Sequence, residues 1–348
     1  MSLPTMYRAY RRTTGPVPRT IEPTTEHLPT KLAPNEVLLK IHAVSLNYRD
    51  IGMLNGRYPI AVPERGIPAS DCAAEVAAIG SNVTQFKEGD AVSPCFNVGD
   101  LSGKERDAGS KTLGADAGVL AEYTVFEEDV LVHLPKHLSW EEASTIPCAG
   151  VTAWVALNRP RNIDPDTSVL LQGTGGVSMF ALLLCLAANI TPIITSSSDA
   201  KLAFIRKISL LVKGFNYKTD PGQAEQVKQL TDSKGVDIVV NNTGAASFPA
   251  DLESLRQRHG TISLVGFLEE KKAEWDPNAL LGLMVKCATI QGIRVGSKQD
   301  FQDVNRFLEE KRVRLDPIID RSFAFDDAKA AFEYLESGKH VGKVVITF

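Results

Sequence analysis

The stretch VLLQGTGGVSMFALL, residues 169–183, runs from an apolar segment through four glycine or threonine positions into a second apolar segment. The pattern predicts a buried strand, a tight turn and a helix. Its spacing, Gly173-x-Gly175-x-x-Ser178, is one glycine short of the dinucleotide fingerprint. Glycines let a chain turn sharply and approach a pyrophosphate with no Cβ in the way. The N–H groups and dipole of the following helix then stabilise the phosphate charge. Gly173, Thr174, Gly175, Gly176 and Val177 are the candidate phosphate-binding residues, and Ser178 is a small stand-in for the third glycine. A glycine turn with no ligand is the plain alternative, and the strand–helix units that follow tell against it.

Outward from this turn, strand-like runs at 168–171, 191–195, 236–241, 260–267 and 288–295 alternate with helix-like runs such as 176–189. Such alternation predicts a doubly wound parallel α/β sheet. The first 150 residues differ. EVLLKIHAVSLN, AAEVAAIGSNV, GDAVSPCF and LAEYTVFEEDVLVHLP are short strands divided by Gly, Asn, Asp and Pro, as in a β-rich barrel. Helices at 300–311 and 326–337 and a last strand, GKVVITF, are expected to return to that first domain. The expected division is therefore 1–149 with 298–348, and 150–297. The polar, glycine-rich stretch 99–118 reads as a long loop, functional or a surface excursion.

A chain of 348 residues suits about two domains. Its net charge of -4 gives no electrostatic reason to expect nucleic acid or an anionic membrane as partner. No apolar run approaches a membrane span, and the start MSLPTMYRAYRRTTGP lacks the apolar core of a secretory signal, so a cytoplasmic protein is expected. The five cysteines are scattered without CxxC spacing, and the six histidines form no metal motif. The expectation is a chain with free thiols and no metal.

The second strand decides which dinucleotide. An NAD site usually places Asp or Glu at its end to hold the ribose hydroxyls. Here the sequence is ITSSSDAK, with Ser196, Ser197 and Ser198 at that point and Lys201 one helical step later. Hydroxyls and a lysine suit a phosphate, which a carboxylate would repel. Asp199, the one nearby acid, suits a helix N-terminus. NADP(H) is expected over NAD(H).

With these residues in hand, the chain resembles the medium-chain dehydrogenase/reductase superfamily, and most closely its zinc-free branch of quinone oxidoreductases and enoyl reductases. The likeness covers nearly the whole chain. It rests on SLNYRDIGMLNGRYP, ASDCAAEVAAIGSNVTQFKEGDAV, AGVLAEYTVFEEDVLVHLPKHLSWEEASTIPCAGVTAW and HVGKVVITF, together with the glycine turn. It implies a GroES-like β-rich catalytic domain and a Rossmann cofactor domain. Zinc-dependent members have a cysteine where this chain has Asn47 and a histidine where it has Ser70, so no zinc is expected. The resemblance also sets Tyr217 against the adenosine phosphate beside Ser197 and Lys201, Thr152 on the nicotinamide, and Lys343 near the cofactor. Plainer roles are a helix cap for Thr152 and a solvated side chain for Lys343. RKISLLVKGFNY departs from the family, whose members have a Leu-Gly-Ala-like turn before the third strand.

Without a metal, what remains is hydride transfer to an acceptor whose own conjugation spreads the incoming charge. Tyr58 is the candidate proton or hydrogen-bond donor, at the position where the resemblance puts the catalytic tyrosine of enoyl reductases. Fixing a loop beside Pro59 is its structural alternative. Asn47 is the candidate contact to substrate oxygen or nicotinamide ribose, and Arg49 with Asp50 reads as a structural ion pair. Gly244, Gly266, Phe267, Val295 and Gly296 stand at or beyond strand carboxyl ends, where doubly wound sheets bind ligands. His42 and His259 read as structural. The expected function is reduction of a quinone or an α,β-unsaturated carbonyl by NADPH. The alternatives are an aldehyde or ketone reductase, an enoyl reductase on a carrier-bound thioester, and an NADPH-binding protein with little turnover. The apolar strand ATIQGIRV, exposed at a sheet edge, implies a homodimer.

Overall fold

A computed structural model describes residues 3–106, 112–115, 117–160, 164, 166–266 and 273–348. The chain divides into two units, Met1–Val151 with Val295–Phe348, and Thr152–Arg294.

The first unit opens with an antiparallel pair, β1 (Met6–Arg12) and β2 (Ile21–His27). Next come β3 (Glu36–Leu46), α1 (Tyr48–Leu54), β4 (Asp71–Ile79), β5 (Ala91–Pro94), β6 (Tyr123–Glu127), β7 (Leu131–His133) and α2 (Trp140–Ser144). A helical stretch, Ile146–Gly150, runs into α3 (Val151–Ala156) at the border of the two units.

The second unit holds β8 (Ser168–Leu171), α4 (Gly176–Ala187), β9 (Thr191–Ser196), α5 (Asp199–Arg206), β10 (Lys213–Asn216) and α6 (Gln223–Leu230). It continues with β11 (Ile238–Asn241), α7 (Phe248–Ser254), β12 (Thr261–Leu264), α8 (Leu281–Lys286) and β13 (Thr289–Gly292). Its six strands are all parallel, in the order β10-β9-β8-β11-β12-β13. This is the doubly wound order, reversing between β8 and β11. Leu170, Ile193, Phe215, Val239 and Ile262 make the core, and α4 is buried from Ser178 to Cys185, so an all-round apolar sequence suits it.

The chain then returns to the first unit as α9 (Lys298–Lys311), β14 (Ile319–Ala324), α10 (Ala328–Glu336) and β15 (Lys343–Thr347). A capping box opens α9: Asp300 N–H donates to Ser297 Oγ at 3.2 Å and Ser297 N–H to Asp300 Oδ2 at 3.0 Å. β15 runs antiparallel to β3 with Val344 opposite Leu46, which brings Lys343 to the end of β3. The sheet follows the path β14-β15-β3-β4-β5-β7 with β6 on β3. Buried Glu142 fastens the return, accepting from Arg314 Nε and Nη2 at 2.8 Å each and from Leu315 N–H at 2.7 Å. Among the described residues no helix is long and apolar enough to cross a membrane.

Several elements are shorter than their apolar runs. The strand expected at 288–295 is β13, Thr289–Gly292, and the one at 260–267 is β12, Thr261–Leu264.

Candidate functional site

The glycine turn joins β8 to α4 as expected. Gly173 has φ +74°, open to glycine at little cost, and Gly175 has an ordinary φ of -81°. A Cβ built at either position meets no heavy atom within 4 Å. The turn therefore borders open space. The first helical bond runs from Met179 N–H to the Gly175 carbonyl at 3.0 Å, so the N–H groups of Gly176 and Val177 belong to the outward-facing first turn. Thr174 is buried within the turn. Gly173 N–H donates to Thr195 Oγ1 at 3.1 Å, tying the turn to β9. Ser178 does more than save space: its hydroxyl donates to the Gln172 carbonyl and accepts from Asn242 Nδ2, both at 2.8 Å. An open, anion-seeking helix start of this form fits a dinucleotide pyrophosphate.

At the carboxyl end of β9, Ser196 is buried and opposite Asn216 of β10, so the residues that follow, Ser197 and Tyr217, emerge side by side. Ser197 is exposed and Tyr217 is 50% exposed. Lys201 lies in the first turn of α5, its N–H held by Ser198 Oγ at 3.4 Å. Asp199 also sits in that turn, and Asn216 Nδ2 donates to it at 3.0 Å. The local acid is thus engaged, while the exposed Ser197 and the half-exposed Tyr217 stand at this edge and Lys201 follows in the first turn of α5.

Gly244 ends the loop after β11 with φ +93°. Gly266 packs so close to the Asn242 backbone that a Cβ would collide with its carbonyl. Thr152 is buried inside α3, one residue past its start, so it is not the cap of that helix. Phe267 lies outside the described residues.

In the first unit, Lys343 is 2% exposed and not solvated. Its Nζ donates to the Leu46 carbonyl and to Asn47 Oδ1, both at 2.7 Å. An ammonium only donates, so it fixes the Asn47 amide with the oxygen inward. The amide nitrogen lies near enough to Asp71 to favour its charged form, yet Nδ2 completes no hydrogen bond of ordinary geometry. Asp71 accepts from Ser70 Oγ at 2.6 Å and from Cys148 N–H at 3.1 Å. Asp50 Oδ2 accepts from Asn47 N–H at 2.8 Å and helps to start α1. Burial pushes both carboxyls up, opposed chiefly by Lys343 at Asp71 and by Arg49 at Asp50. Burial pushes Lys343 down, opposed first by Asp71. Two buried carboxyls and two buried basic groups thus each oppose the cost of the other's burial.

Arg49 keeps the expected pairing with Asp50 and adds further contacts. Its Nη1 is 3.9 Å from Asp50 Oδ1, the limit of an ion pair, and its hydrogen bonds go elsewhere. Nε donates to Tyr58 Oη at 3.2 Å and Nη1 to the Leu113 carbonyl at 2.9 Å. The guanidinium also lies over the rings of Tyr58 and Phe96, at 4.9 and 4.7 Å from their centroids. Tyr58 is half-buried, outside the hydrophobic cores, with its oxygen on a cation. Val295, β-branched, has φ +61°, and the Gly296 carbonyl accepts from Asn97 Nδ2 at 3.1 Å. His42 stacks on Trp140 at 4.4 Å and meets Glu75 at 3.1 Å.

The first unit thus gathers Asn47, Lys343 and Tyr58, and the second gathers the glycine turn with the Ser197–Lys201–Tyr217 edge. A cavity of about 1060 Å³ in the first unit, walled by His133, Trp140 and Asn305 among others, includes none of these residues. The reading of the residues missed Asp71 and the Arg49–Tyr58 contact. An acid opening the small apolar strand DCAAEVAAI is itself a signal, because a buried carboxylate requires partners.

Comparison with known proteins places the chain among relatives. Residues 33–136 match the family described as alcohol dehydrogenase GroES-like domain, and residues 214–346 the one described as zinc-binding dehydrogenase. A zinc-type alcohol dehydrogenase-like protein of Schizosaccharomyces pombe is 37% identical over 331 residues, 94% of each chain. The 2-methylene-furan-3-one reductase of Solanum lycopersicum is 29% identical over 321 residues, 90% of this chain and 71% of its own. A solved structure assigned as an alcohol dehydrogenase of Sinorhizobium meliloti 1021 is similar with a TM-score of 0.90 and 32% identity, over 100% of both chains.

Proposed function

Because the chain belongs to the medium-chain dehydrogenase/reductase superfamily, and is an oxidoreductase of that family, we propose that it reduces a quinone or an α,β-unsaturated carbonyl with NADPH and without zinc. The surroundings of Asn47 carry this reading. Zinc takes thiolate, imidazole or carboxylate ligands. Here an amide and a hydroxyl stand at the two family positions, and the adjacent carboxylates are already balanced by Lys343 and Arg49. A divalent cation would meet two resident cations. The residues do not fit zinc, although two of the matches carry it in their names.

Reduced nicotinamide, when bound, supplies the hydride. The protein's part is to hold and to polarise. The glycine turn and the start of α4 receive the pyrophosphate, while Ser197, Lys201 and Tyr217 favour a 2′-phosphate. Asn47, its amide locked by Lys343, is the residue set beside the substrate oxygen or the nicotinamide ribose. Tyr58 donates to the oxygen that gains charge, and the guanidinium on its oxygen stabilises the phenolate left if the proton moves. A conjugated acceptor suits this, since hydrogen bonding replaces a Lewis acid only where charge is already delocalised. The reductase activity in the name of the tomato relative supports the choice of an enone. Metal analysis of purified protein tests the zinc half: content well below one ion per chain is expected, and stoichiometric zinc needed for turnover would overturn it.

Two copies are proposed to pair through β13. Ile290 on that edge is exposed, as are Leu281, Met284 and Val285 on α8, the last two at 72% and 74%. Sedimentation should give twice the chain mass; a monomer at working concentration would exclude this.

A further inference from the structure

The strand order reverses between β8 and β11, and the chain leaves them toward opposite edges of the sheet. Beyond Gln172 N–H, which reaches the Val240 carbonyl at 3.4 Å, no ladder joins the segments that follow. One is the glycine turn; the other is the loop Asn242–Gly244. Ligands of doubly wound sheets lie in the crevice between such segments.

Side chains do the joining here. Asp251 of α7 is 0% exposed and accepts four hydrogen bonds, two on each oxygen. Gln172 Nε2 (2.6 Å) and Gln223 Nε2 (2.9 Å) reach Oδ1, and Asn241 Nδ2 (2.6 Å) and Ser247 Oγ (2.9 Å) reach Oδ2. Gln172 Oε1 then accepts from Thr243 Oγ1 at 2.9 Å, and Asn241 Oδ1 from Gly244 N–H at 2.7 Å. Only an acceptor with no proton can take four donors at once.

We propose that Asp251 is a positioning residue for the cofactor: its carboxylate ties Gln172, at the root of the glycine turn, to Asn241, at the root of the opposing loop, and so sets the width of the dinucleotide crevice. The inference rests on the cofactor reading above. It assigns affinity to a residue that touches no ligand itself. Burial pushes the Asp251 carboxyl up to about 6 against the pull of its four donors. The charged side chains of the helices around it are Glu225 and Lys228 on α6 and Glu253 on α7, and Lys286 Nζ bonds the Leu252 and Leu255 carbonyls at the end of α7. The four donors on the carboxylate are all neutral. Protonation gives one oxygen a proton where two donors already point, which loosens the tie.

Asp251→Asn tests this, since the amide copies the shape of the protonated acid. The probes are NADP⁺ and NAD⁺, stable in acid, with dissociation constants measured by calorimetry from pH 5 to pH 8. Losing a hydrogen bond to a charged acceptor corresponds to about tenfold weaker binding at pH 8. The ratio of variant to wild-type constants should shrink toward one at pH 5, and that ratio cancels the cofactor's own titration. A merely structural aspartate would lower the melting temperature and leave the ratio flat. Gln172→Met, close in shape, should lose a similar factor, and the double variant should lose no more than the larger single. Should Asp251→Asn not fold, Gln172→Met alone decides. A wild-type protein that binds neither dinucleotide overturns the cofactor reading; a wild type that binds, with variants of equal affinity at every pH, overturns the role of Asp251.

Discussion

The Nζ of Lys343 lies 2.7 Å from Asn47 Oδ1, so the last strand of the chain holds the amide that opens α1, just past its third strand. One buried ammonium does two things at once. It orients Asn47, and it offsets the charge of Asp71.

Removing that ammonium leaves two buried carboxyls with Arg49 alone. Breaking a buried ion pair from one side costs about 3–5 kcal/mol. Lys343→Met should lose that much at pH 8 by urea unfolding. Its folded state would bind protons at Asp71 and Asp50 more readily than the unfolded chain, so the deficit should narrow as pH falls. A loss below about 1 kcal/mol, the size expected of a surface pair, would contradict the account of the cluster.

The two glycines of the turn should separate fold from ligand. Gly173→Ala places a Cβ at φ +74°, costing about 1–2 kcal/mol of stability. Gly175→Ala, at φ -81° and in open space, should unfold as the wild type does. Both put a methyl where the pyrophosphate is proposed to lie, and both should weaken NADPH binding at least about tenfold, or about 1.4 kcal/mol. Undiminished binding to Gly175→Ala would place the phosphates elsewhere.

Lys201→Ala should weaken NADPH by about tenfold, roughly the loss of one charge-assisted bond, and leave NADH unchanged. Equal losses for the two dinucleotides would mean that the lysine does not meet the 2′-phosphate.

Tyr58→Phe keeps the ring on which Arg49 lies and removes the hydroxyl. If the phenol acts as general acid, kcat should fall by about 10²-fold or more with cofactor affinity intact. An unchanged kcat would reduce Tyr58 to a support for Arg49.

The doubly wound unit was legible because its signals are local: apolar runs of strand length, glycines at a turn, a serine row at the end of β9. The β1–β2 pair was not singled out, since MYRAYRR and IEPTTEH are too polar and too partly buried to show a clear period. Asn47 and Tyr58 were candidates from the family resemblance and Gly173 from the glycine spacing, and the fold adds their partners, Lys343, Arg49 and Thr195. Arg49 was read as the partner of its neighbour Asp50, a pair the fold keeps at 3.9 Å, but its reach to Tyr58 and Phe96 was not legible, because those contacts exist only once the first unit has folded. Asp251 carries no sequence signal at all. Its four donors come from α6, the loop after β8, the end of β11 and the approach to α7, and nothing periodic connects them.

The most direct test of the central claim is the rate of NADPH oxidation by chelator-treated protein offered a quinone, a simple enone, an enoyl thioester and an aldehyde, with NADH in parallel. The account expects turnover of a conjugated acceptor, with NADPH preferred and no dependence on added zinc. Activity confined to the aldehyde, or lost on chelation and restored by zinc, would contradict it.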